Sequence, residues 1–111
     1  MTLETAATSN RCMRGGARHS PGIETIDFDG RCFAADIVSR IDLLEAANLA
    51  DASVRAGSKP GDLRWNHPAR DFSWPDASGH QVKMDAYTLL GLAAQFAQHR
   101  ENIRVGRALR L

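Results

Sequence analysis

The residue types that most often carry chemistry are scattered along this chain of 111 residues. Its four histidines are His19, His67, His80 and His99, and none of them stands at a metal-ligand spacing such as HxxxH from another His or Cys. The sequence contains no GxSxG nucleophile motif and no glycine-rich phosphate loop. We therefore expect a protein that is not an enzyme and that needs no metal or other cofactor.

Carboxylates come closer together than the histidines do. Asp27, Asp29 and Asp36 lie within one short stretch, and a DxD pattern can hold a cation. However, Asp29 belongs to a predicted turn and Asp36 stands before a predicted helix, so hydrogen bonds to the local backbone explain both residues more simply. The pattern favours a structural role over a metal site.

Three aromatic residues form the sharpest cluster in the sequence. Trp65, Phe72 and Trp74 could stack on a ligand or anchor a protein partner, or they could fill a core that is otherwise built from alanine and leucine. The core role is favoured for Phe72 and Trp74, whereas both roles stay open for Trp65. We therefore predict a partner-binding loop that contains Trp65, His67 and Arg70.

Charge divides the chain into basic ends and an acidic middle, although the formal net charge is only +1. Residues 1–22 contain Gly15, Gly16, Pro21 and Gly22, which oppose regular structure, and they are expected to form an arm that is disordered or ordered on a partner. Residues 23–111 are expected to form one domain. The arginines of the two ends are candidate partner-binding residues, although charged faces that only maintain solubility are the simpler explanation. They are Arg11, Arg14 and Arg18 in the arm, and Arg104, Arg107 and Arg110 near the C-terminal end.

The two cysteines, Cys12 and Cys32, do not form a CxxC motif. Reduced thiols are expected, as in a protein that is made in a cytoplasm. No apolar run reaches the roughly 18 residues that a membrane-spanning helix needs, so no membrane partner is expected.

The first half of the domain is predicted to form a hairpin followed by a helix. The pair Asp29-Gly30 between two apolar runs predicts a tight hairpin turn, because glycine tolerates the positive φ of such turns. Asp36 is an N-cap residue for the helix that follows, in which Ile37, Ile41 and Leu44 recur at helical spacing.

The same unit recurs in the second half of the domain. "GRCFAAD" and "GHQVKMD" both read Gly, two residues, an apolar residue, two residues and Asp before a helix, so that Gly79 matches Gly30 and Asp85 matches Asp36. A lone hairpin is marginal in water and a lone short helix is too, so each needs an apolar face to pack on. We predict an α+β fold, in which two hairpin-plus-helix units form a small antiparallel sheet of about four strands covered by two helices.

The segments "FAADIVSR" and "GHQVKMDAYTLL" carry a resemblance that spans residues 23–104. The chain resembles an uncharacterised domain family of bacteriophage and prophage proteins encoded near tail fibres, often the C-terminal part of a tail-fibre or tail-assembly protein. The family has no known catalytic residues. This chain departs from the family at "DASG", where a pair such as "DN" is usual, and it consists of little more than the domain, which suggests a small separate subunit.

This resemblance implies a non-enzymatic structural protein of a phage tail, an adaptor associated with the fibre or the baseplate. Its partners would be other tail proteins or neighbouring copies, and its location would be the virion. A tail-fibre assembly factor that is absent from the mature virion is an alternative. A small nucleic-acid-binding regulator is another, although the acidic middle of the chain makes nucleic acid an unfavoured partner, and no small-molecule ligand is expected.

Overall fold

The computed structural model describes residues 24–110, with the side chains of residues 107–110 left undescribed. Four short strands and two helices follow one another along the chain. The strands are β1 (Thr25–Phe28), β2 (Arg31–Ala34), β3 (Ser73–Pro75) and β4 (Gln81–Lys83). The helices are α1 (Ile37–Arg55), between β2 and β3, and α2 (Ala86–Arg110), after β4. The expected α+β class is confirmed.

The first hairpin closes through the predicted turn. Strands β1 and β2 pair antiparallel, with Phe28 opposite Arg31, so that only Asp29 and Gly30 lie between them. Both residues have positive φ, 52° and 78° respectively, as a type I′ turn requires. The prediction for Gly30 is therefore confirmed.

The second hairpin has a longer loop, in which the Asp76 side chain bonds to backbone N–H groups of the loop. Strands β3 and β4 pair antiparallel with Trp74 opposite Val82, and Gly79 has a positive φ of 92°. One oxygen of Asp76, Oδ1, accepts hydrogen bonds from the backbone N–H groups of Ser78 and His80, each at 2.9 Å. These two hydrogen bonds hold the turn in place.

The two units share the order strand, turn, strand and helix, but their strands lie in two separate two-stranded sheets. The sheets meet where the loop of the second hairpin touches the first: the N–H of Ala77 donates to the carbonyl of Cys32 at 2.8 Å, and Arg31 lies 3.6 Å from Asp76. Strands of three or four residues have few free backbone groups with which to pair at their edges. The prediction of one four-stranded sheet is therefore wrong, and the two hairpins are joined by these loop contacts instead.

The two helices pack against each other, and α2 also contacts β1. On α1 the buried side chains are Leu43, Ala46, Ala47 and Ala50. On α2 the most buried ones are Ala86, Leu89, Leu92 and Phe96, and Phe33 from β2 completes the centre of the core. Small alanine side chains on α1 allow the helices to approach closely, since the distance between packed helices depends on the side chains at the contact.

Helix α1 packs through a different face from the stripe that stands out in the sequence. The stripe of Ile37, Ile41 and Leu44, which matches the core-facing positions of a helix by spacing, lies on the exposed side. Helix α1 has apolar residues on two faces, and the alanine-rich face is the one that packs against the rest of the domain. The larger side chains are left facing solvent.

Cys32 on β2 is disulfide-bonded, so the expectation of a reduced thiol is wrong for this residue. The only other cysteine of the sequence, Cys12, lies outside the described residues, as does the whole predicted arm of residues 1–22. Within residues 24–110, neither helix is both long and apolar enough to cross a membrane.

Candidate protein-binding groove

The exposed side of α1 borders a groove that runs between the two helices, with a volume of about 630 Å³. Ile37, Ile41 and Leu44 line it from α1, and these side chains are 66%, 56% and 62% exposed. From α2 come Ala93, Phe96 and Ala97. Alanines at two of these three positions leave the space that the groove occupies. We name this feature the α1–α2 groove.

The rim of the α1–α2 groove is mainly basic. Arg40, Arg100 and Arg104 line it together with Glu101. Arg104 forms an ion pair with Glu101 one turn earlier on α2, and this pairing raises the pKa of the Arg104 guanidinium. Within the described part of the chain, Arg40 and Arg100 form no ion pair. An apolar groove with unpaired cations at its rim suits a protein surface that carries apolar and acidic side chains.

The side chain of Trp65, predicted to bind a partner, is engaged within the fold. Its indole Nε1 donates a hydrogen bond to the backbone carbonyl of Met84 at 3.1 Å, and its ring lies 4.6 Å from that of Phe72. Phe72 in turn stacks on Trp74, with 6.4 Å between the ring centroids. The core role expected for Phe72 and Trp74 is confirmed, since both pack against the buried cluster. Trp65 packs there as well, so its partner-binding role stays a prediction that these contacts do not favour.

His67 and Arg70 lie next to this cluster but remain exposed. His67 uses Nδ1 to accept a hydrogen bond from the N–H of Ala69 at 3.1 Å. Together with Asn66 and Asp71 they border a smaller cavity of about 230 Å³. This cavity has no large exposed apolar side chain, in contrast to the α1–α2 groove.

Asp85 fixes the loop between the helices to the start of α2. Its Oδ1 accepts from the N–H of Thr88 at 2.7 Å, and its Oδ2 accepts from the N–H of Gly61 at 2.7 Å. Burial alone would raise the pKa of Asp85, but the hydrogen bonds from Thr88 and Gly61 outweigh burial and hold the pKa below its ordinary value. The predicted N-cap is thus confirmed, and it has a second bond that the sequence did not indicate.

Asp36 occupies the N-cap position of α1 but bonds differently. Its carboxylate accepts from the hydroxyl of Ser39 at 2.6 Å, and no backbone amide bonds to it as a cap. The Ser39 hydrogen bond lowers the pKa of Asp36. Asp36 therefore stands at the predicted N-cap position, but its carboxylate accepts a hydrogen bond from a side-chain hydroxyl instead of from a backbone N–H.

The remaining candidate residues are only partly described. Arg11, Arg14 and Arg18 lie outside the described residues, and for Arg107 and Arg110 the structure describes only a helical backbone in α2. Of the six arginines predicted at the two ends of the chain, only Arg104 has a described side chain, and it lies at the groove.

No set of three or more His, Cys, Asp or Glu side chains within residues 24–110 is arranged to hold a metal ion. The closest histidine contact to a carboxylate joins His99 Nε2 on α2 and Glu24 Oε2 before β1, at 2.6 Å. This contact links the start of the first hairpin to α2.

The groove was not predicted, because the helical spacing of Ile37, Ile41 and Leu44 does not show whether these side chains face the core or the solvent. One signal was available: the alanines at positions 46, 47 and 50 form a second apolar face on the same helix. A helix needs only one apolar face to pack on the core of its own domain. A second apolar face on the same helix therefore indicates a second contact.

Comparison with known proteins found no match: no protein family, no curated protein and no solved structure resembles the chain closely enough to assign it. The resemblance to the phage family therefore remains a prediction from the sequence.

Proposed function

We propose that this chain is a non-enzymatic structural subunit of a bacteriophage tail, a fibre- or baseplate-associated adaptor that acts by protein–protein contact. The observation that carries the contact is the α1–α2 groove, where Ile37, Ile41 and Leu44 stand more than half exposed on one helix. Single exposed apolar residues are ordinary, but a contiguous apolar patch with a charged rim is typical of an interaction surface. The tail context is supported by the resemblance of residues 23–104 alone.

The experiment is a quantitative mass-spectrometric count of the chain in purified virions of the phage that encodes it. A tail component is expected at a fixed ratio to the other tail proteins. Co-purification with fibre subunits but absence from virions would replace this proposal with the assembly factor. Absence from both would contradict the tail assignment altogether.

The regulator hypothesis has less support from the described residues. Arg104, one of the three arginines on which it depends, is paired with Glu101 and faces an apolar groove. A regulator would show DNA affinity that falls steeply with salt and falls further when Arg104, Arg107 and Arg110 are replaced by glutamine. We expect no such affinity.

A further inference from the structure

The exposed face of α1 consists of two adjacent stripes with the same spacing. Positions 37, 41, 44 and 48 form the first, with Ile, Ile, Leu and Asn, and positions 38, 42, 45 and 49 form the second, with Val, Asp, Glu and Leu. All eight side chains are exposed, including Val38 at 62% and Leu49 at 57%. The alternating steps of four and three residues are those of a helix that packs on another helix, and an Asn at one such position is a common device for fixing register.

Unpaired acids accompany this apolar face. Asp42 and Glu45 are exposed on α1 and form no ion pair within residues 24–110. Arg40 and Arg100, at the rim of the α1–α2 groove, are unpaired in the same described region. The apolar face of α1 therefore carries free negative charge, whereas the groove beside it carries free positive charge.

We infer that the α1–α2 groove is occupied by helix α1 of a second copy of this chain, which forms a twofold dimer. In this arrangement Ile37, Ile41 and Leu44 of each copy enter the groove of the other. Glu45 of each copy then lies against Arg100 of the other. Twofold symmetry makes every contact twice, so that one modest complementary surface forms a larger interface.

Charge argues for a second copy over the chain's own N-terminal residues. Residues 1–22 carry three arginines against one glutamate, the same sign as the rim of the groove. Like charges placed together oppose binding. Helix α1 of another copy supplies both the apolar stripe and the acids, so no other protein is needed to fill the groove.

This inference deepens the proposed function, on which it rests for its biological setting, but it is tested on the purified full-length chain alone. Sedimentation equilibrium over a range of concentrations should show a reversible monomer–dimer equilibrium. Ile41→Arg should raise the dissociation constant at least tenfold without changing the circular dichroism spectrum, because Ile41 is exposed in the monomer. The matched control is Val105→Arg on α2, which alters an exposed apolar side chain that does not line the groove and should leave the equilibrium unchanged.

Charge reversal tests the pairing itself. Glu45→Arg and Arg100→Glu should each weaken the dimer, and the double variant should recover most of the loss, as expected for a direct pair. A chain that stays monomeric at every concentration, or a dimer that Ile41→Arg leaves intact, would overturn the inference. Double-variant dimers as weak as those of the single variants would overturn the assigned pair.

The experiments can contradict the dimer without contradicting the tail function, and the reverse. A monomeric chain that is present in virions, with the groove filled by an acidic segment of another tail protein, would overturn the dimer and leave the tail function standing. A dimeric chain that is absent from both virions and fibres would contradict the tail function and leave the dimer standing.

Discussion

At the residue scale, the carboxylate of Asp85 joins the start of α2 to the loop that precedes it. It accepts hydrogen bonds from Thr88 at the start of α2 and from Gly61 in the preceding loop. Asp85→Ala removes both and is expected to lower the free energy of unfolding by about 1–3 kcal/mol. Asp36→Ala removes the hydrogen bond from the Ser39 hydroxyl but no cap bond, so it should cost less than Asp85→Ala in the same urea titration. An equal or larger cost for Asp36→Ala would contradict the assigned bonding.

The lowered pKa of Asp85 gives a dependence on pH. A carboxyl group whose pKa is lower in the folded than in the unfolded state stabilises the fold above its unfolded pKa. That stabilisation is lost as the pH falls through the folded pKa. The difference in unfolding free energy between the wild type and Asp85→Asn should therefore be full near about pH 7 and shrink below about pH 4. Urea titrations at several pH values measure it, and a difference that grows on acidification would contradict the assignment.

Asp76 has a comparable role in the second hairpin. Its side chain is only 9% exposed, and it accepts from the N–H groups of Ser78 and His80 while it lies near Arg31. Asp76→Ala should lower the free energy of unfolding by about 1–3 kcal/mol, because the turn loses two hydrogen bonds from backbone N–H groups. Asp76→Asn retains the Oδ1 acceptor and is the matched control, expected to recover much of the loss in a thermal melt. If Asp76→Ala and Asp76→Asn melt at the same temperature, these two hydrogen bonds contribute little to stability.

At the element scale, the hairpins and helices follow closely from the sequence, because their signals are local. Asp29-Gly30 fixes a two-residue turn, and Asp85 stands directly before α2 in both sequence and structure. The junction between the hairpins and the orientation of α1 did not follow, since they depend on contacts between distant segments. Spacing alone cannot distinguish the Ile37 stripe of α1 from its alanine face, and the groove was missed for that reason.

Gly91 tests how closely α2 approaches the first hairpin. A Cβ added there would lie 3.4 Å from the ring of Phe28, which is ordinary contact. Gly91→Ala should therefore stabilise the protein by about 0.5–1 kcal/mol, because alanine is favoured over glycine inside a helix. Gly91→Leu should destabilise it instead, since the longer side chain must displace Phe28. Thermal melts of both variants measure the effect, and a destabilised Gly91→Ala would show that the helix packs more tightly than this distance indicates.

At the scale of the whole molecule, residues 24–110 form a core and leave the large apolar side chains of the α1–α2 groove outside it. The core gathers Phe33, Leu43, Leu89 and Leu92, all nearly inaccessible to solvent. The α1–α2 groove lies beside that core, with large side chains that the chain's own packing leaves exposed. Burial of such side chains against another protein is favourable by roughly 25 cal/mol per Å² of apolar surface. The alanine face of α1 therefore contributes to the stability of the fold, and the other face is the one that we propose for protein contact.

The most direct test of protein contact through the groove is site-specific photo-crosslinking in intact virions. A benzophenone side chain introduced at position 41 should form a crosslink to a second copy of the chain or to another tail protein, identified by mass spectrometry. The same group at Val105, exposed but outside the groove, is the control. We expect a strong crosslink from position 41 and little from position 105. Equal yields at the two positions, or none from position 41, would contradict it.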